Sequence, residues 1–180
     1  DLPGDVDLPG GSFMLGSSPD EPFVFDNEKW AHPVELEAFR IARGAVTQGD
    51  FAAFVEDGGY DERRLWDDEG WSWRCEFEAE HPVNWRRAEG GWERRHFDNW
   101  VRLEPNRAVI HVNWYEADAY CLSLEKRLPT EIEWEKAARG SDERLFVWGS
   151  DFKKEYANFG KQVRPVGQTS KDLSVYGLAD

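Results

Sequence analysis

The sequence predicts a mixed α+β domain with two or three helices and much irregular structure, and three observations carry that prediction. Two helix-start signals, Asn113 with Glu116 and Thr130 with Glu133, each precede an apolar face at helical spacing. Near the N-terminus the apolar pattern alternates with period two instead. Between these regions, residues 60–107 carry Trp66, Trp71, Trp73, Trp85, Trp92 and Trp100 with no sustained period of either kind.

In chain order, Gly10-Gly-Ser-Phe-Met-Leu-Gly16 reads as a short strand bracketed by glycines, with Phe13 and Leu15 on one face. A polar loop containing proline follows from Ser17 to Glu28. From His32 to Ile41 the pattern puts Val34 and Leu36 inward and Glu35 and Glu37 outward, as in a half-buried strand. Phe39 and Ile41 continue it after one phase slip, which a bulge would accommodate. Thr47, with Asp50 three residues on, opens a first helix from about Thr47 to Asp57. Phe51, Phe54 and Val55 give it an apolar face, and Gly58-Gly59 stops it where a left-handed residue is wanted.

Residues 60–107 contain turns at Pro82 and Glu89-Gly-Gly91, and pieces such as Trp92 to Phe97 suit short strands. No helix is expected there. The segment reads as an insertion pinned by burial of its aromatics, and long structured loops are more often functional than idle. Val109 to Val112 suits a brief strand before the second helix, whose cap is Asn113. Ala117, Tyr120, Cys121 and Leu124 share one face of that helix, with Glu116, Asp118 and Glu125 mostly away from it. The third helix runs from Thr130 to Arg139 and ends at Gly140. The tail, through Phe146 to Gly149, Tyr156 to Phe159 and Val163 to Val166, is loop with brief strand segments.

At 180 residues the chain fits one domain, and a core of that size needs no disulfide staple. A formal net charge of −14 repels phosphate backbones and anionic lipid, which argues against nucleic acid and membrane surfaces as partners. No apolar run approaches the roughly 20 residues of a membrane helix. Cys75 and Cys121 stand in no metal-binding or redox spacing and read as reduced thiols of a cytoplasmic protein.

Two motifs, His111-Val-Asn-Trp-Tyr-Glu-Ala-Asp-Ala-Tyr-Cys121 and Lys126-Arg-Leu-Pro-Thr-Glu-Ile-Glu-Trp-Glu-Lys-Ala-Ala138, strongly resemble the signature of formylglycine-generating-enzyme-like (sulfatase-modifying-factor) domains. Pro9 to Gly16, Val46-Thr47, Tyr156-Ala-Asn-Phe159, Pro165-Val-Gly167 and Tyr176 to Asp180 follow the same pattern in order, so the likeness spans residues 1–180. It implies a C-type-lectin-like α+β fold: two helices, a small twisted antiparallel sheet and long irregular stretches. Phe25-Asp-Asn-Glu28, His32-Pro-Val34, Asp57-Gly-Gly-Tyr60, Gly70-Trp71, Pro82-Val-Asn-Trp85 and Gly91-Trp92 are similar to the non-haem iron sulfoxide synthases of ergothioneine biosynthesis. Ovothiol and selenoneine synthases share much of that set.

What the resemblance implies is a two-domain enzyme. A DinB-like helical bundle, N-terminal in the same polypeptide, would supply three histidines to Fe(II), and the lectin-like domain would form the substrate-facing wall. The reaction would join a thiol or selenol donor to the imidazole of a trimethylated histidine, with O2 as oxidant in the sulfoxide branch. The bundle and the family's C-terminal active-site segment are expected outside these 180 residues, leaving them inactive alone. Two rival readings are a copper-dependent formylglycine-generating oxidase and a non-catalytic lectin-like binding module.

No catalytic, cofactor-binding or metal-ligating residue is assigned within the chain. His32, His81, His96 and His111 are too scattered for a ligand set, which wants convergent positions such as helical i, i+4 spacing. Cys121 is expected on an apolar helix face as an inert thiol, and the resemblance puts the copper-binding cysteines of formylglycine-generating enzymes beyond Asp180. Tyr115 and Tyr120 occupy ordinary positions of the scaffold signature. Glu131, Glu133 and Glu135 suit the positive end of a helix dipole. Asn158 resembles one ligand of the family's calcium site, but residues 160–168 hold no acidic partner and half a site binds calcium poorly. The tryptophans could present a platform for a sugar or a cation, with core packing as the default.

Overall fold

The computed structural model describes residues 2–21, 23–142, 144–158, 164–168 and 171–179. Among these, four helices are formed, α1 (Gln48–Glu56), α2 (Asp68–Glu76), α3 (Trp114–Ser123) and α4 (Glu131–Arg139). Seven short strands accompany them: β1 (Asp5–Leu8), β2 (Gly11–Leu15), β3 (His32–Leu36), β4 (Phe39–Ala42), β5 (Trp85–Ala88), β6 (Gly91–His96) and β7 (Asn99–Arg102). The α+β class holds, with one helix more than expected. Contacts divide the chain into two compact units, one of Asp1–Ala45, Pro129–Gln162 and Val166–Asp180, the other of Val46–Leu128 and Val163–Pro165.

In the first unit β1 pairs antiparallel with β4, and β2 with β3. The phase slip after Leu36 is therefore a change of partner, and the expected bulge does not form. The chain leaves one ladder at Glu37-Ala38 and joins the other. Gly10 lies at this crossing, where a Cβ would stand 2.8 Å from the Leu36 carbonyl oxygen and 2.9 Å from the Ala38 nitrogen. Leu8 and Phe13 are buried, and α4 packs on β2 with a charged stem over Phe13. Lys136 is buried, donates from Nζ to the Gly11 carbonyl at 3.2 Å and lies over the Phe13 ring. Glu135 accepts from the Gly16 N–H at 3.0 Å and from Arg139 Nη1 at 2.6 Å, which fastens the helix to the end of β2.

In the second unit α1 begins with the expected capping box, in which Thr47 and Asp50 satisfy each other's backbone N–H groups. Its two terminal glycines do different things. Gly58 takes φ 81°, the left-handed turn, whereas Gly59 provides space: a Cβ there would lie 2.1 Å from the Phe54 ring. Residues 60–107 are not free of helix, contrary to the sequence reading. α2 starts at Asp67, whose side chain accepts from the Gly70 N–H at 2.6 Å, and Asp68 and Glu69 suit its positive end. It has no apolar stripe. Ring contacts hold it, with Trp73 stacked at 6.2 Å on Trp66 and at 6.1 Å on Tyr115, and with Arg63 and Arg74 against Trp71.

The strands β5, β6 and β7 form an antiparallel meander. Val109 to Val112 makes no strand. Val109 donates to the Val46 carbonyl at 2.9 Å, Thr47 bridges Ala108, and His111 takes φ 63° before the α3 cap. The buried side of α3 also differs from expectation: Glu116 and Ala119 are its buried residues, while Leu122 and Leu124 are exposed. Phe51, Phe54, Tyr60, Leu65, Trp66, Trp85 and Ala119 form the core of this unit, so the tryptophan-rich stretch is largely core and not an appendage to it.

Candidate functional site

Two arrangements in the second unit place polar chemistry where it has consequences. The first lies in the core. Asn113 and Glu116 form the α3 capping box, with Asn113 Oδ1 accepting from the Glu116 N–H at 2.9 Å and Glu116 Oε2 accepting from the Asn113 N–H at 2.7 Å. The box turns the carboxylate inward, where Oε1 accepts from Tyr60 Oη at 2.5 Å. Burial pushes the Glu116 carboxyl above its ordinary value, while the bonds from Tyr60 and Asn113 and the charge of His81 pull the other way. Burial likewise drives the Tyr60 phenol far up, with the Glu116 charge adding to it. Both Glu116 oxygens and the Tyr60 hydroxyl are engaged within the buried core, so the pair acts as a structural lock.

The second arrangement is an open cleft of about 390 Å³ lined by Asn84, Arg95, Phe97, Asp98 and His111. Phe97 and Asp98 form the two-residue turn joining β6 to β7, flanked by the pair His96 and Asn99. Phe97 stands at φ 53° and is 83% exposed, although short hairpin turns favour Gly, Asn or Asp at positive φ. The Arg95 N–H donates to the Asn84 carbonyl at 2.7 Å, which ties the turn to the segment before β5, and Arg95 Nε donates to the Phe97 carbonyl at 3.0 Å. His111 reaches the same cleft from its own positive-φ position. Strained backbone of this kind concentrates at ligand-contacting sites.

The histidines singled out from the sequence occupy separate settings. His32 Nδ1 lies 2.9 Å from the Trp30 carbonyl, and His81 Nδ1 lies 3.0 Å from that of Pro82, its ring edge-on to Trp92. His96 contacts the Phe97 ring. Among the described residues no three His, Cys, Asp or Glu side chains converge to hold a metal ion. Cys75 and Cys121 are free thiols, and burial pushes the latter's pKa up. Tyr120 stacks on Phe51 at 5.5 Å, with its phenol pushed up to about 12 mainly by burial. Tyr115 stacks on Trp73. Glu133 completes the α4 capping box. Residues 159–163, beside Asn158, lie outside the described residues. Sequence reasoning missed Asn84, Arg95, Phe97 and Asp98. Their one local signal was the Phe-Asp-Asn step between two strand-like runs.

Comparison with known proteins places these observations. The family model for the sulfatase-modifying factor enzyme 1-like domain matches residues 1–180. A hercynine oxygenase of Mycolicibacterium thermoresistibile is 44% identical over 142 residues, covering 76% of this chain and 31% of that protein. A formylglycine-generating enzyme of Thermomonospora curvata is 33% identical over 194 residues, covering 94% of this chain and 61% of that one. The solved structure of PvdO from Pseudomonas aeruginosa superposes with a TM-score of 0.68 at 20% identity, covering 98% of this chain and 66% of that chain, and shares the fold. The chain thus spans about a third of the hercynine oxygenase and under two thirds of the formylglycine-generating enzyme.

Proposed function

The chain belongs to the sulfatase-modifying factor enzyme 1-like family, and from that premise we propose that it is the scaffold and substrate wall of an ergothioneine-type C–S bond-forming oxygenase. The observation that carries this reading is the 44% identity to a hercynine oxygenase, against 33% to a formylglycine-generating enzyme. The reaction is the joining of a thiol or selenol donor to the imidazole of a trimethylated histidine, dependent on Fe(II) and O2. The chain's own described side chains do not fit an iron centre, so the reading assigns the ligands to polypeptide outside it, a DinB-like helical bundle. What these residues contribute is rigidity: a core of interlocked rings and three capping boxes that hold the loops in place. No described helix is long and apolar enough to cross a membrane. The reading locates the enzyme in the cytoplasm, where Cys75 and Cys121 would remain free thiols.

The test is an assay of the full-length protein containing this chain, supplied with Fe(II), O2, trimethylated histidine and a thiol such as cysteine or γ-glutamylcysteine. Mass spectrometry should find the C–S adduct, and removal of residues 1–180 should abolish it. Copper-dependent oxidation of a cysteine in a sulfatase peptide, without iron, would overturn the proposal. So would tight ligand binding with no turnover, the mark of a lectin-like module.

A further inference from the structure

Asp57-Gly58 is the only place in the sequence where an aspartate or asparagine precedes a glycine. In such a pair the glycine nitrogen can attack the carboxyl carbon of the preceding side chain, because no Cβ shields it. The new C–N bond closes a cyclic imide, the carboxyl C–OH bond breaks, and the hydroxyl leaves as water with the amide proton. Water then reopens the ring at either carbonyl. One opening restores aspartate, and the other gives isoaspartate, in which the main chain runs through the side-chain carbons. No oxidant or reductant enters, and the product has the mass of the starting chain. Both residues lie on the open side of the turn that ends α1: Asp57 is exposed, and nothing stands within 4 Å of where a Gly58 Cβ would be.

The folded turn nevertheless keeps the reacting atoms apart. Asp57 has φ −76° and ψ 5°, and a ψ near zero turns the Gly58 nitrogen toward the Asp57 nitrogen and away from the Asp57 Cβ. Ring closure therefore needs that peptide plane to rotate. Three hydrogen bonds oppose the rotation, from the Asp57 N–H to the Ala53 carbonyl at 2.8 Å, from Gly58 to Val55 at 3.2 Å and from Gly59 to Phe54 at 3.0 Å. The residues that follow are fixed more tightly. The Gly59 carbonyl accepts from Trp66 Nε1 at 2.9 Å, and Tyr60 is buried with its hydroxyl on Glu116. We infer that Asp57-Gly58 is a site of spontaneous conversion to isoaspartate, held in check by the folded turn, and that the converted chain no longer fits the core behind it. The added main-chain carbon falls two residues before Gly59, where even a Cβ would meet the Phe54 ring at 2.1 Å. Folding and isomerisation thus oppose each other, whatever reaction the protein carries out.

The test is to incubate the intact protein at neutral pH, native and in guanidinium chloride, and to count isoaspartate by enzymatic methylation and by fragmentation of the peptides. In denaturant the main site should be residue 57, and Asp57→Glu should remove that signal, since the larger ring closes far more slowly. The native protein should convert at least about tenfold more slowly, the factor for a local opening that costs about 1.4 kcal/mol. Gly59→Ala, which crowds Phe54, should raise the native rate severalfold, and Thr130→Ala, which weakens α4, should leave it unchanged. Isoaspartyl protein separated from the parent should unfold at a lower denaturant concentration. Equal rates in the native and denatured states, a main site elsewhere, or a converted protein with the parent's unfolding midpoint would overturn the inference.

Discussion

Replacing Tyr60 by Phe tests how much the core depends on one hydrogen bond. The ring keeps its neighbours, Phe54 at 5.9 Å and Trp66 at 5.4 Å, and only the hydroxyl is lost. Glu116 Oε1 then stays buried without its donor, since Asn113 serves the other oxygen. A hydrogen bond to a charged group contributes about 1.5–3 kcal/mol, so the substitution should cost about 2 kcal/mol. For a chain of this size that is roughly 4–8 °C in unfolding temperature. The sign of the pH dependence follows from Glu116, whose carboxyl is raised above its ordinary 4.5 by burial. Its contribution to stability is fully present below that value and is lost as pH rises through the elevated one. Removing Tyr60's hydroxyl removes a bond that favours the ionised form, so the carboxyl rises further and the loss at pH 7 exceeds the loss at pH 4. Urea titrations of both proteins at both pH values, followed by tryptophan fluorescence, measure the difference. A cost under about 0.5 kcal/mol, or the same cost at the two pH values, would refute the view that a buried carboxylate relies on this donor.

Gly59→Ala should destabilise by about 1–3 kcal/mol because Phe54 is buried and cannot give way, whereas Gly58→Ala should cost about 1–2 kcal/mol through backbone strain alone. A second substitution, Phe54→Leu, should restore part of the loss for Gly59→Ala and none for Gly58→Ala, as read from urea midpoints. Thr130→Ala removes the α4 cap and should lower stability by about 1 kcal/mol, with Thr130→Ser largely neutral in thermal unfolding. Iodoacetamide should label Cys75, which is exposed, well before Cys121, which is half-buried with a raised pKa; peptide mass mapping would show the order.

Where a capping box and an apolar face coincide, the helix was legible in the sequence. Thr47, Asn113 and Thr130 all cap helices as their spacing predicts, because a capping box needs only residues three apart. α2 carries one local signal, the Asp67 cap followed by Asp68 and Glu69, but no apolar stripe to go with it, and the contacts that hold it, Trp73 on Trp66 and Tyr115, leave no period in the pattern. Glu116 looked like a solvent-facing acid because its partner Tyr60 is 56 residues away. The break between β3 and β4 looked like a bulge because pairing partners cannot be read from one strand. The cleft was less legible still. It gathers Asn84, a turn and His111 from three stretches, and the turn residue at positive φ is Phe97, a bulky type that does not signal such a backbone.

A helix anchored by indoles instead of an aliphatic stripe leaves two positions of its last turn, Cys75 and Glu76, exposed and outside its attachment. Ser72, Cys75 and Glu76 are exposed on α2, and Trp71 and Trp73 supply its attachment. Ser72 bonds back to the Asp68 carbonyl at 2.8 Å and Arg74 to that of Tyr60 at 2.8 Å, so Cys75 and Glu76 are the positions that can change while the tryptophans stay. The end of α2 is thus a place where the displayed side chains can change without altering how the helix is held.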